Sequence, residues 1–213
     1  MQTPKIEPWL AWRRLCEDLN LDVAAMQIGF QELARRYGES HRKYHTLAHI
    51  AACLQEFEAV KAQCDDLLGV ELAIWFHDLY YETNRKDNED RSADRMYVLV
   101  EPREWTRNHT LTADVCIRAT KHAAAPEEHD AQIMVDIDLS ILGQPWNVYE
   151  EYTRQIRAEY KRVPRLLYVP GRRKIMQSFL DRPHIFSTEF FHARYETQAR
   201  ANITRELNTL KLF

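Results

Sequence analysis

DLLGVELAIWFHDLY, residues 66–80, is the stretch on which the fold turns. Leu72, Ile74, Phe76 and Leu79 fall on different sides of a 3.6-residue repeat, so a helix here is apolar over most of its surface and belongs at the centre of a core. Upstream, Leu47, Ile50, Leu54 and Phe57 line one face of a helix that starts near Tyr44. Before it, Asp22 caps a helix running to Gly38, and Trp9, Trp12, Cys16 and Leu19 mark a first helix. Downstream, ETNRKDNED reads as a loop, with Asp87 capping a helix over residues 88–100 that Pro102 closes. Further helices are expected over residues 112–124, in the apolar run 133–142 that stops at Gly143, and from Pro145, at a first-turn position, to Tyr160. Pro164 breaks that helix, Pro170-Gly171 punctuates, and residues 172–180 and 188–210 complete an all-α chain.

Composition agrees with helices. Of 213 residues only 5 are glycine, where ordinary usage gives roughly 15, and sheets need glycine for their tight turns. The length allows one substantial core, and no linker, repeat or low-complexity tract divides it, so a single domain over residues 1–213 is expected. A formal net charge of −3 argues against a nucleic-acid partner. No apolar run approaches the ~20 residues of a membrane span, and MQTPKIEPWLAWRR lacks the features of a secretory signal, which makes the cytoplasm the expected compartment. Cys16, Cys53, Cys64 and Cys116 are scattered without a C-x-x-C pair, which reads as core thiols.

Three patterns carry chemistry. His45 and His49 stand at i and i+4, which on a helix puts two imidazoles about 6 Å apart on one face. His77-Asp78 ends the apolar stretch quoted above, where an uncompensated charge is expensive and a divalent cation would compensate it. Asp136 and Asp138 sit in another apolar run with the same difficulty. Each alone has an ordinary structural explanation: histidines satisfied in the core, a chance dipeptide, carboxylates capping a helix. In combination they point to a metal centre, and mixed imidazole and carboxylate donors suit Mn, Fe, Co, Ni or Zn better than Ca.

The order H…HD…D resembles the HD superfamily of metal-dependent phosphohydrolases. RKYHTLAHI, WFHDLYYETNRKDNEDRSA and DIDLSILG are similar to the small bacterial members of that superfamily, over roughly residues 44–143. The resemblance implies a helical HD domain with its metal-site core there and helices 145–213 packed on it. YHTLAHI is also similar to the Y-H-N-x-x-H-A motif of cyclic-nucleotide phosphodiesterases, with Thr46 in place of Asn. By that likeness His49, His77, Asp78 and Asp138 are the metal ligands and His45 is the general acid. Asp138 is preferred to Asp136 because D-L-S follows it, and Asp136 would accept a hydrogen bond from a ligand imidazole.

Two-metal members of the superfamily carry further histidines between the HD pair and the last Asp. His122 stands where such a ligand would lie, with a helix-end residue near the C-terminal dipole as the other reading, and His129 is a weaker candidate. One or two transition ions, or Mg, are therefore expected. Likeness to single-metal nucleotidases makes Glu82 or Glu89 a candidate to orient water. Arg157, Lys161 and Arg172 could clamp a phosphate, or could be solvated surface cations. The resemblance implies hydrolysis of a nucleotide or small phosphorylated metabolite by metal-activated water. Its rivals are an HD-fold diiron oxygenase and a non-catalytic metal-containing module that binds a nucleotide. Oligomeric state has no signal in the sequence.

Overall fold

The computed structural model describes residues 6–101 and 103–210; the first five residues of the N-terminal stretch and Pro102 lie outside the described residues. Ten α-helices and no strand occur among them. They are α1 (Pro8–Asp18), α2 (Val23–Tyr37), α3 (Leu47–Val60), α4 (Leu67–Phe76), α5 (Asn88–Leu99), α6 (Arg107–Ala119), α7 (His129–Leu139), α8 (Trp146–Glu159), α9 (Arg165–Leu180) and α10 (Glu189–Thr209). None is long and apolar enough to cross a membrane. The all-α expectation holds.

The fold divides into two compact units, Met1–Ile137 and Asp138–Phe213. The division falls inside the unbroken helix α7, so no Pro-, Gly- or Ser-rich linker marks it, and the sequence reads as one domain for that reason.

In the first unit α4 is the central element: every residue from Gly69 to Phe76 is buried. Trp12 of α1 meets Trp75 and Phe76 edge-on, with ring centroids 5.5 and 6.0 Å apart. Its indole N–H donates to the Met26 carbonyl of α2 at 2.9 Å, so the one polar atom of this ring stays satisfied in an apolar layer. At the start of α4 the Asp66 carboxylate accepts from the Gly69 N–H at 3.0 Å. The Asp130 carboxylate of α7 accepts from the N–H groups of Asp65 and Asp66 at 2.8 Å each, which ties the first turn of α7 to the first turn of α4.

Several boundaries differ from the sequence reading, each for a local reason. Helix α3 begins at Leu47 rather than near Tyr44, because Thr46 is extended (φ −124°, ψ 178°) and its hydroxyl caps the Ala48 N–H. Helix α4 ends at Phe76 rather than Tyr80: the Trp75 carbonyl accepts from the Tyr37 hydroxyl at 2.9 Å, the Leu79 N–H turns to the Phe76 carbonyl, and the Arg42 guanidinium takes the carbonyls of Asp78 and Leu79 at 2.7 and 2.8 Å in the turn that follows. Helix α6 spans 107–119 rather than 112–124 and is followed by His122 in the left-handed region (φ 54°). Asp87 precedes α5, but its carboxylate is bound by Arg85 and does not cap. Pro170-Gly171 does not interrupt α9, which starts after Pro164; both residues are exposed, so the carbonyl left without a donor by Pro170 faces solvent.

The second unit has a core that includes Tyr149, Phe186, Phe191 and Ile203. Within it the Asn202 amide of α10 donates to the carbonyls of Leu142 and Gln144, 2.8 Å each, across the turn that follows α7.

A Cβ added at Gly69 would stand 2.7 Å from the Thr112 side chain of α6 and 2.7 Å from the capping Asp66 carboxylate. Gly69→Ala should therefore destabilise the protein by about 1–3 kcal/mol despite the better helix propensity of alanine. Urea denaturation would check this, and an unchanged or raised midpoint would show that α4 and α6 have room to part.

Candidate metal centre

The centre begins where α4 stops. His77, 1% exposed, donates from Nδ1 to the Ile74 carbonyl at 2.9 Å. A carbonyl oxygen only accepts, so the ring proton is on Nδ1 and the Nε2 lone pair points inward. His49, one turn into α3 and 4% exposed, brings its Nε2 to 3.1 Å from His77 Nε2. Asp78 Oδ2 lies 3.1 Å from His77 Nε2 and 3.5 Å from His49 Nε2. Two nitrogens bound to one ion at about 2.1 Å, with bond angles of roughly 90–109°, stand about 3.0–3.4 Å apart. The triangle of donors has the dimensions of one face of a transition-metal coordination shell.

Asp138, at the end of α7, is a further candidate donor. One donor atom from each of His49, His77 and Asp138 lies within 4.8 Å of the others. Asp136, on the same helix, is fully buried.

The charge of the centre is compatible with a cation. Burial opposes ionisation of Asp78, but its interactions with His77, His45 and His49 outweigh it and hold the carboxyl well below the usual range. The same balance is met if the positive charge resides on an ion and the imidazoles are neutral ligands. Two imidazoles and two carboxylates are the donor set of a borderline transition ion, and the residues fit such a group.

His45 lies before the Thr46 cap, off the helix that the sequence reading gave it. Its ring centroid is nonetheless 5.8 Å from that of His49, and it stacks on Tyr81 at 4.0 Å. Its Nε2 is 4.0 Å from Asp78 Oδ2. What brings it there is Arg42, which sequence reasoning missed. Its side chain is fully enclosed, is held by Glu39 at 3.1 Å, and also donates to the His45 carbonyl at 3.3 Å. One guanidinium thus joins the His45 segment to the HD turn, a task that suits its rigid fork of donors. Cys53 was read only as a core thiol. Its sulfur lies 3.7 Å from both ring nitrogens of His49, one turn along α3, where it is a weak acceptor against the ligand imidazole. Its spacing, i+4 from His49, was the available signal.

The remaining candidates separate clearly. Glu82 is exposed and its carboxylate is bound by Arg91 at 2.7 Å. Glu89 is half-buried, and burial raises its pKa, with the charge of Asp78 adding to the effect and Lys121 and His122 opposing it. His122 follows α6 and is half-buried. His129 opens α7 on the surface and contacts the Gln63 carbonyl at 3.0 Å, by the start of α4 and away from the HD turn. In the second unit Arg157 donates to the carbonyls of Tyr160 and Val163, closing the end of its own helix. Arg172 is buried in an ion pair with Glu206 at 2.8 Å and bonds the Tyr152 hydroxyl, so it is a core cation and not an open phosphate clamp. Lys161 is exposed.

Compared with family models, with curated proteins and with solved structures, the chain matches none.

Arg42→Ala should release the HD turn and weaken transition-ion binding by roughly 10–100-fold, the usual effect of removing a group that orients ligands. Calorimetric titration of metal-stripped protein measures it; unchanged affinity in a folded variant would leave Arg42 without a positioning role.

Proposed function

We propose that the chain is a metal-dependent phosphohydrolase of the HD type, acting on a nucleotide or another small phosphorylated metabolite. The observation that carries this reading is the triangle of His49 Nε2, His77 Nε2 and Asp78 Oδ2, with edges of 3.1, 3.1 and 3.5 Å, at the end of an otherwise apolar helix. His49, His77, Asp78 and Asp138 hold a Mn, Fe, Co, Ni or Zn ion, with Mg as a further candidate. A divalent cation bound there polarises the phosphoryl oxygen and acidifies its water.

The chain's own residues do the rest. His45 protonates the departing oxygen. Its stacking on Tyr81 and the hold of Arg42 on its carbonyl keep the imidazole beside Asp78, within reach of a departing oxygen at the centre. Glu89 orients the attacking water by hydrogen bonding. It takes this role ahead of Glu82, whose exposed carboxylate is held by Arg91. His122 is the candidate ligand for a second ion.

The first test is metal analysis of the protein as purified, followed by a phosphatase and nucleotide screen with Mn, Co, Ni and Mg. Asp78→Ala should lose metal and turnover together. His45→Ala should keep its metal and slow turnover by roughly 10²–10⁴-fold, with a smaller loss on p-nitrophenyl esters, whose leaving group hardly needs the proton. Substrate-dependent oxygen uptake without phosphate release would overturn the reading.

The two glutamates give a separate expectation. Glu89→Gln should lower kcat, whereas Glu82→Gln should leave it within about twofold of wild type, as expected when only an exposed ion pair is lost. Steady-state kinetics on whichever ester proves active decides, and the reverse ranking would return the water to Glu82.

A further inference from the structure

A second group of metal-binding side chains stands in the C-terminal unit. His184 lies in the connection between α9 and α10; His192 and Glu196 are one turn apart on α10. One donor atom from each lies within 4.8 Å of the others. The two imidazoles meet edge to face, with centroids 4.7 Å apart and planes at 87°. We infer that His184 and His192, completed by Glu196, form a second binding site for a borderline transition ion such as Zn²⁺, Ni²⁺ or Cu²⁺.

The connection that carries His184 is held in place by its neighbours. Ile185 and Phe186, the next two residues, are buried, and their N–H groups donate to the Glu196 carboxylate at 2.9 and 3.1 Å. Arg200, one turn beyond Glu196, donates to its Oε1 at 2.7 Å and to the carbonyls of Leu180, Arg182 and Pro183 at 3.1, 2.8 and 3.0 Å. Residues on both sides of His184 are therefore fastened to α10, so the imidazole pair loses little freedom when an ion binds.

Glu196 keeps capacity for an ion. A carboxylate offers about four lone-pair sites, and the donors that reach it are the Ile185 N–H, shared between both oxygens, the Phe186 N–H and Arg200 Nε. The imidazoles are the principal ligands, and two nitrogens select a borderline ion over Mg or Ca. His184 is exposed and His192 half-buried, so the remaining coordination positions open to solvent. An ion bound here would clip the α9–α10 connection to α10.

The test is zinc and nickel titration of the full, metal-stripped chain by calorimetry, with wild type compared to His184→Gln and His192→Gln. Both positions reach solvent, and circular dichroism verifies that the variants fold. Each variant is expected to lose about one equivalent of ion relative to wild type, and nickel should raise Tm less than in wild type. The same binding class should persist in Asp78→Asn protein, which separates it from the centre in the first unit. Folded His184→Gln and His192→Gln proteins that bind as many equivalents as wild type, with the same affinities, would overturn the inference and leave an aromatic pair.

Discussion

A buried apolar helix has to stop somewhere, and the way α4 stops organises the first unit. Its last carbonyls would be left without partners in a dry environment, at a cost of about 1–3 kcal/mol each. The His77 N–H and ring take those of Ala73 and Ile74, the Tyr37 hydroxyl that of Trp75 and the Leu79 N–H that of Phe76, while Arg42 takes the carbonyls of Asp78 and Leu79 in the turn that follows and bonds the His45 carbonyl as well. The guanidinium is itself held by Glu39, so its charge is balanced at the rim of the unit rather than at the metal ligands. The consequence is a sharp turn in which adjacent residues do different work: His77 points its Nε2 inward while its Nδ1 remains bonded to the helix it has just left. A continuing helix would have pointed His77 and Asp78 about 100° apart and could not have brought both to one point.

The opposite end of α4 is held by another carboxylate: Asp130, at the start of α7, accepts from the N–H groups of Asp65 and Asp66. A fully buried Asp136 on the same helix requires polar surroundings that an apolar run does not announce. Glu71, buried in the middle of α4, shows the alternative treatment of such a charge. Burial raises its pKa, and Arg14 at 2.7 Å opposes the rise through a simple ion pair. The two carboxylates of α4 and its end are thus handled differently. One meets an arginine at the edge of the layer, and the other meets three imidazoles.

How much of this was legible in the sequence depends on whether a feature repeats along the chain or is made by distant residues. The central position of α4 followed from its all-round apolar pattern, and His49, His77 and Asp138 were candidates through the family resemblance; one donor atom from each lies within 4.8 Å of the others. The end of α4 was less legible, because groups remote in sequence hold it: Tyr37 takes the Trp75 carbonyl and Arg42 the carbonyls of the turn beyond, while the start of α3 is set locally by the extended Thr46. The candidate phosphate clamp failed for the same reason. Arg172 follows Pro170-Gly171 and reads as a surface cation after a break, but α9 runs through the proline and turns Arg172 inward onto Glu206 from α10, 34 positions away in sequence. A hydropathy pattern cannot assign a buried arginine whose partner is that far along the chain.

The two histidine groups differ in the surroundings they would offer an ion. In the first unit the ligand nitrogens are enclosed and an ionised carboxylate stands among them, so an ion bound there acts in a medium that screens its field poorly. In the second unit His184 is exposed and the carboxylate beside the rings is already neutralised by Arg200, so the field of an ion is screened by water and partly cancelled. Catalysis by a cation depends on that field reaching the reacting atoms, whereas fastening two segments depends only on the ligand bonds. The same imidazole chemistry therefore meets an enclosed, poorly screened setting in the first unit and a solvated one in the second, and the difference lies in the dielectric around each pair of rings.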